Sequence, residues 1–302
     1  MQVTVILSFL CVLGLFTASG ALAWLKKRET PEDYLVASRK VSPWLSALSA
    51  VSTNNSGFMF IAMIGFTYRN GLEAFWLVVG WILGDLTIWL FIHPETHKLS
   101  GDLKVNTLPT LLAKGHSKAD RALVAVAGLV VLIFLGTYAA AQLKAGGTAI
   151  NALFQWDMAV GTLIGTAIVV LYSFAGGIRA DIWTDATQSF VMLATMILLL
   201  AVSAVEIGGL EPLYANLQAQ DPRLVQWFPT DLQFGLGAYL LSLFFNGFGI
   251  AGQPHVLVRL FSVESVEKIA RTGLWYFGWY IPFALASLAV GLYASAIIPD
   301  IA

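Results

Sequence analysis

Seven residues at the centre of the apolar run from Trp44 to Tyr68 are polar or glycine: Ser49, Ser52, Thr53, Asn54, Asn55, Ser56 and Gly57. Hydroxyls, carboxamides and bared peptide carbonyls are hard oxygen ligands, the donor set a sodium ion takes. Where a helix unwinds, carbonyl oxygens are released to ligate a cation. The freed N–H groups and the positive end of the following half-helix can hold a carboxylate. The carbonyls of Ser52 and Asn55, helped by the hydroxyls of Ser56 or Thr53, are the candidate donors. Small residues also permit close helix contact, and that account suits the Gly80/Gly84 and Gly161/Gly165 spacings. Two adjacent asparagines exceed what packing needs.

A second stretch of the same kind, "FFNGFGIAGQPH", carries Asn246, Gly247, Gly249, Gly252 and Pro254. Pro254 removes a backbone donor and the glycines weaken the helix around it. In lipid, such interruptions are tolerated only where the chain lines a protein cavity.

The elements that must position these residues are membrane helices. Of 302 residues, 58% are hydrophobic and 12% charged, about half the charge of a soluble domain. A net charge of −1 with dispersed basic residues excludes a nucleic-acid surface. The single cysteine, Cys11, excludes an intrachain disulfide. Eight apolar runs are long enough to span about 30 Å of hydrocarbon: 3–25, 44–68, 72–94, 122–143, 158–177, 186–206, 234–256 and 273–298. The first is expected to be a retained span, because its charges follow the apolar run instead of preceding it. Fourteen of the 17 basic residues fall after spans 1, 3, 5 and 7; the other three are Arg69, Lys144 and Arg223. The positive-inside rule then puts both chain ends outside.

The two interrupted spans are five apart, so they cross the membrane in opposite directions. That is the layout of an inverted five-helix repeat, with spans 2–6 as repeat one and spans 7–8 beginning repeat two. It predicts a secondary transporter with its site near the midplane. A potential of about 100 mV supplies about 2.3 kcal/mol per charge, and a tenfold sodium gradient about 1.4 kcal/mol.

Four stretches carry a family likeness: "EDYLVASRKVSPWLSALS" at 32–49, "SGFMFIAMIGFTYRNGLEAFW" at 56–76, "YSFAGGIRADIWTDATQSFVM" at 172–192 and "GQPHVLVRLF" at 252–261. The chain resembles the sodium:solute symporters, and among them the sodium/proline branch. The resemblance implies an all-α integral membrane protein of the LeuT-type inverted-repeat fold, preceded by one extra helix. It implies sodium-coupled uptake of a small organic solute, an amino acid such as proline or a short carboxylate, across the inner (plasma) membrane. Na+ is then the coupling ion, with no other cofactor, and the partners are solute, Na+ and lipid. By the same resemblance Ser52 and Asn55 match backbone sodium ligands, Ser56 and Gly57 a functional Ser-Gly pair, and Asp185 an aspartate on the inner sodium route. The substrate side is expected from Asn54, Phe58, Tyr138, Asn246, Ile250 and Pro254.

The chain departs from that pattern. Asn54 stands where proline symporters have an aspartate, and Phe58 and Asn246 stand where they have tryptophans, while Tyr138 is kept. Only two helices of the second repeat are present, so the chain is expected to need the remaining part of such a transporter as its partner. Asp85, near the middle of span 3, is open to two accounts: a cavity-lining or cation-pairing group, or a structural carboxyl. Lys144 is expected to snorkel from the outer end of span 4. Arg179, Asp181 and Asp185 read as an inner-loop cluster, with Thr184 or Asp185 capping span 6. Trp24, Trp44, Tyr68, Trp227 and Tyr293 read as interface anchors. His93, His97, His116 and His255 lack metal-ligand spacing, and no enzyme signature appears. The rival reading is a transporter-like sensor module of a longer signalling protein; a channel fits broken helices less well.

Overall fold

The computed structural model describes residues 2–25, 28–57, 59–113, 120–230 and 232–299, without the side chains of residues 2, 168, 171, 172 and 175. Helix α1 (Gln2–Trp24) lies along α9 (Met158–Ile207). The short α2 (Pro31–Val36) is capped by Thr30, whose hydroxyl accepts the Asp33 N–H, with Pro31 in the first turn. Then come α3 (Pro43–Asn55), a π-helical turn over Met59–Met63, and α4 (Ile64–Asn70). Helix α5 (Phe75–Thr87) passes through a second π turn, Ile88–Ile92, into α6 (His93–Asp102), followed by α7 (Leu108–Ala113). The long α8 (Asp120–Phe154) precedes α9, and α10 (Leu210–Gln220) follows it. Last come α11 (Gly235–Phe248), α12 (Pro254–Phe261) and α13 (Ile269–Ile297). Among the described residues the isolated extended pairing is one bridge, Val41 with Val263.

Among the described residues, six helical segments are long and apolar enough to cross a membrane: Val3–Trp24, Met59–Asp102, Asp120–Phe154, Gly176–Ile207, Gly235–Gly252 and Val266–Ile297. In five of them 39% or less of the apolar window is buried, whereas in Val266–Ile297 the share is 61%. Helix α13 is therefore the central post. Tyr276, Phe283 and Ala284 on it are almost fully enclosed, and it packs on α3, α4 and α9.

Several expectations are corrected. Residues 178–185 are not a loop but helix; the chain bends at Gly177 (φ 57°, ψ −157°) inside α9. That backbone strongly favours glycine, and a Cβ there would lie 2.6 Å from the Tyr34 carbonyl oxygen. Thr184 and Asp185 therefore sit within a helix and cap nothing. Lys144 is not at a helix end, because α8 continues to Phe154. Tyr293 is 3% exposed and belongs to the core, drawn in by the central position of α13. Gly80 and Gly84 do serve packing: a Cβ would come 2.5 Å from Leu243 Cβ and 2.1 Å from the Phe244 carbonyl of α11. Gly161 abuts Ile150, but Gly165 faces open space.

The connecting segments meet in two sets. At one end Asp33 pairs with Arg179, Arg39 donates to Ser100, Val105 and Asn106, His97 bonds the Val263 carbonyl, and the Val41 N–H donates to Ser262. At the other end Tyr68 Oη donates to the Ile298 carbonyl, Trp76 Nε1 to the Trp227 carbonyl, and Gly71 presses on Leu224.

Candidate functional site

Both polar interruptions break their helices. α3 ends at Asn55, and Ser56 takes φ 44°, ψ −162°, with its N–H on the Ser52 carbonyl at 2.9 Å. α11 tightens into a 3-10 turn over Gly249–Gly252, and Gln253 (φ −90°, ψ 105°) turns extended before Pro254 opens α12. The missing N–H of Pro254 suits a helix start and forbids continuation from α11.

The two breaks face one cavity of about 470 Å3, within the usual range of small-molecule pockets. Asn54, Asn55 and Ser56 line it from the first break, Asn246, Ile250 and Gln253 from the second. Helix α8 adds Tyr138 and Gln142, α5 adds Trp81 and Asp85, and α13 adds Tyr280. Thus Asn54, Asn55, Ser56, Tyr138, Asn246 and Ile250, all expected from the sequence, are brought together. Gly57 adjoins them, since a Cβ on it would sit 3.3 Å from Gln142 Oε1. Pro254 opens α12 directly after the cavity-lining Gln253. Phe58 lies outside the described residues.

Local bonds fix the walls. Gln142 Nε2 donates to Ser56 Oγ at 3.3 Å, and Tyr138 Oη donates to the Thr53 carbonyl at 3.3 Å. Tyr138 also stacks on His255, with ring centroids 5.3 Å apart. Asn54 Nδ2 donates to Tyr276 Oη, and Tyr276 donates to Asp85 Oδ2, each at 2.7 Å.

Asp185 and Ser52 lie deeper, away from the cavity lining. Arg259 of α12 reaches Asp185 Oδ2 through Nη2 at 2.5 Å and Nε at 3.1 Å. Ser49 Oγ donates to the same oxygen at 2.7 Å and accepts from Arg259 Nε at 2.7 Å. Ser46 Oγ donates to the Arg259 carbonyl at 2.8 Å. Ser52 Oγ lies 3.2 Å from the Asp185 carbonyl. These bonds tie α3, α9 and α12 together beyond the breaks. At the same end, burial pushes the Asp33 carboxyl up. The Arg179 guanidinium, the Arg28 N–H and the Ser38 hydroxyl outweigh that and hold it at about 2.

The sequence reading did not single out Gln142, Trp81, Tyr276, Tyr280 or Arg259 as site residues. A signal was present: Trp81/Asp85, Tyr138/Gln142 and Tyr276/Tyr280 are i,i+4 pairs, one face of a helix each.

The sodium:solute symporter family matches residues 34–301. This chain belongs to that family. It is a multi-pass membrane protein. It is 31% identical to the high-affinity proline transporter PutP of Bacillus subtilis over 88% of this chain and 56% of that protein. To the osmoregulated proline transporter OpuE of the same organism it is 28% identical, over 97% of this chain and 58% of OpuE. A sodium/proline symporter of Staphylococcus aureus matches at 27% identity, over 97% of this chain and 57% of the symporter. The chain thus spans little more than half the length of these relatives. A Na+-coupled sialic acid symporter, solved substrate-bound and outward-open, superposes with a TM-score of 0.79 over 96% of this chain and 60% of that one. At 18% identity that likeness shows the fold, which is the all-α LeuT type.

Proposed function

We propose that this symporter-family chain forms the site-bearing part of a transporter that moves a small organic solute together with Na+ across the inner (plasma) membrane by alternating access. The solute is an amino acid such as proline, or a short carboxylate. The observation that carries the reading is the shared cavity onto which two interrupted helices open, one from each repeat. A broken helix supplies carbonyls to a cation and N–H groups to an anion at the same depth.

Na+ is held between Ser52, Asn55, Ser56 and Gly57. Asn54, Tyr138, Asn246, Ile250 and Pro254 form the solute side, with Phe58 completing it. Asp185, engaged by Arg259 and Ser49, becomes available to an ion leaving inward only when that clamp opens. The two sets of end contacts, one joining residues 33–41, 97–106, 179 and 262–263 and the other joining 68–76 with 224–227 and 298, support eight spans, and the excess of basic residues on the first side supports an N-terminus outside.

The test is uptake into vesicles by the protein expressed from its complete reading frame, with Na+ or K+ outside. Na+ is expected to drive accumulation and K+ to drive none; equal uptake with either ion refutes sodium coupling. Ser56→Ala removes a hydroxyl from the proposed ion site and is expected to lower apparent sodium affinity about tenfold. Gly57→Val crowds Gln142 and acts in the same direction. Unchanged affinity in both variants moves the ion elsewhere.

A further inference from the structure

The cavity contains one feature that neither the ion site nor the helix breaks explain. Asp85 is the only charged group among its described lining residues. It sits in α5, 3% exposed. Oδ2 takes the Tyr276 hydroxyl, while Oδ1 is buried without a hydrogen-bond partner among the described residues. The polarity of the network is set from the other end. Asn54 donates its amide proton to Tyr276 Oη, so the tyrosine proton points at Asp85, where Oδ2 receives it. No Lys or Arg is among the cavity's described lining residues to balance Asp85. A carboxyl oxygen left without a partner in a membrane interior is costly, and the cavity is where a donor can meet it. The neighbouring wall is aromatic: Trp81, Tyr138 and Tyr280 line the same space. Carboxylate and aromatic rings together are the surroundings in which cationic nitrogens are held.

We infer that Asp85 is a solute-binding residue, and that the solute carries a cationic nitrogen which docks on Asp85 Oδ1. This rests on the symport reading above and narrows its solute class to amino acids and related ammonium compounds, against simple carboxylates. The geometry divides the solute's charges. Its nitrogen faces α5 and α13, and its carboxylate faces the first helix break. Tyr276 and Asn54 act as positioning residues, since each fixes the next group by a single directed hydrogen bond.

The experiment uses purified protein from the complete reading frame. Its binding is measured for a panel of α-amino acids and for the same acids with hydrogen in place of the amino group, proline against cyclopentanecarboxylate and alanine against propionate. The expected result is sodium-dependent binding of members of the first set only. Asp85→Asn, checked for folding by gel filtration and for ion binding by sodium-induced thermal stabilisation, is expected to weaken amino-acid binding by about thirtyfold or more. Its sodium stabilisation is expected to be unchanged. Tyr276→Phe frees Oδ2 without removing the carboxylate and is expected to weaken binding less. The inference is overturned if the nitrogen-free acids bind as well, if neither set binds, or if Asp85→Asn loses sodium affinity while keeping amino-acid affinity. Acidification-driven uptake abolished by Asp85→Asn also overturns it, by making the residue a proton carrier. Sodium-driven uptake of a nitrogen-free acid would sink this inference alone, whereas loss of all sodium dependence would sink the symport reading beneath it.

Discussion

Ser56 holds φ 44°, ψ −162°, a backbone region that is essentially reserved for glycine, yet the residue is a serine whose side chain lines the cavity. Strain of this kind is about 1–3 kcal/mol and persists where the surrounding structure over-determines it. The chain keeps the hydroxyl at the expense of backbone comfort, which fits a side chain with a ligand to hold. A comparison of Ser56→Gly with Ser56→Ala isolates this, because both lack the hydroxyl. The glycine variant is expected to be more stable, by about 1 kcal/mol or more in detergent melting, while both lose sodium affinity alike. An alanine variant as stable as the glycine one would mean that the break is unstrained. At this scale much of the cavity was legible in the sequence. Asn54, Asn55 and Ser56 announce themselves as polar residues in an apolar run. Gln142 and Tyr280 do not, because each is one polar residue on a long helix, and only the packing of α8 and α13 against the breaks turns it inward. Asp185 was visible as an acid, but its pairing with Arg259 spans 74 positions that no local pattern connects.

Among the elements, α2 shows how a six-residue helix is held in place. Alone it is far too short to persist. Asp33 anchors it by accepting from the Arg28 N–H at 2.8 Å, Ser38 Oγ at 2.7 Å and the Arg179 guanidinium just beyond the Gly177 bend. The Asp33 carboxyl is held at about 2, below its ordinary 3.8. A depressed folded-state value means stability that is complete above the unfolded-state value and lost as pH falls through the folded one. The anchoring of α2 is therefore expected to be whole above about pH 4 and to weaken steadily toward pH 2. Hydrogen exchange of the 31–36 amides across that range is the readout, and Asp33→Asn is expected to flatten the profile. A profile unchanged by the substitution would assign the anchoring to other groups. The bend that makes room for this contact also explains where the sequence reading of the elements stopped. Apolar length and charge located the helices, but residues 178–185, with Arg179, Asp181 and Asp185, look like a loop by composition. They are helical because each charge has a partner inside the protein: Asp33 for Arg179, Ser173 for Asp181 and Arg259 for Asp185.

For the molecule as a whole, the decisive contact is the one closing the end beyond the two breaks. Arg259, on the half-helix after the second break, binds Asp185 on α9 and Ser49 on the half-helix before the first break. If the chain works as the transporter proposed above, these elements separate in one of its states, and the pair is then a latch on the conformational equilibrium and not only a structural bond. Removing one partner leaves the other buried and unpaired, about 3–5 kcal/mol of destabilisation. Removing both relieves that penalty. Arg259→Gln and Asp185→Asn are thus expected to lower thermal stability singly and to recover much of it together, with a coupling energy of about 1–3 kcal/mol. The same latch predicts a shift in accessibility. Ala186 is 3% exposed beside Asp185, and a cysteine placed there, in a background without Cys11, reports opening by its reaction with a water-soluble thiol reagent. Arg259→Gln is expected to raise the labelling rate about tenfold, the effect of moving the equilibrium by about 1.4 kcal/mol. Sodium plus solute is expected to change the rate in the wild-type latch more than in the broken one, since a latch already released leaves less of the equilibrium for ligands to move. Additive stability losses together with an unchanged labelling rate would show that Arg259 and Asp185 merely fill space at a joint that does not move.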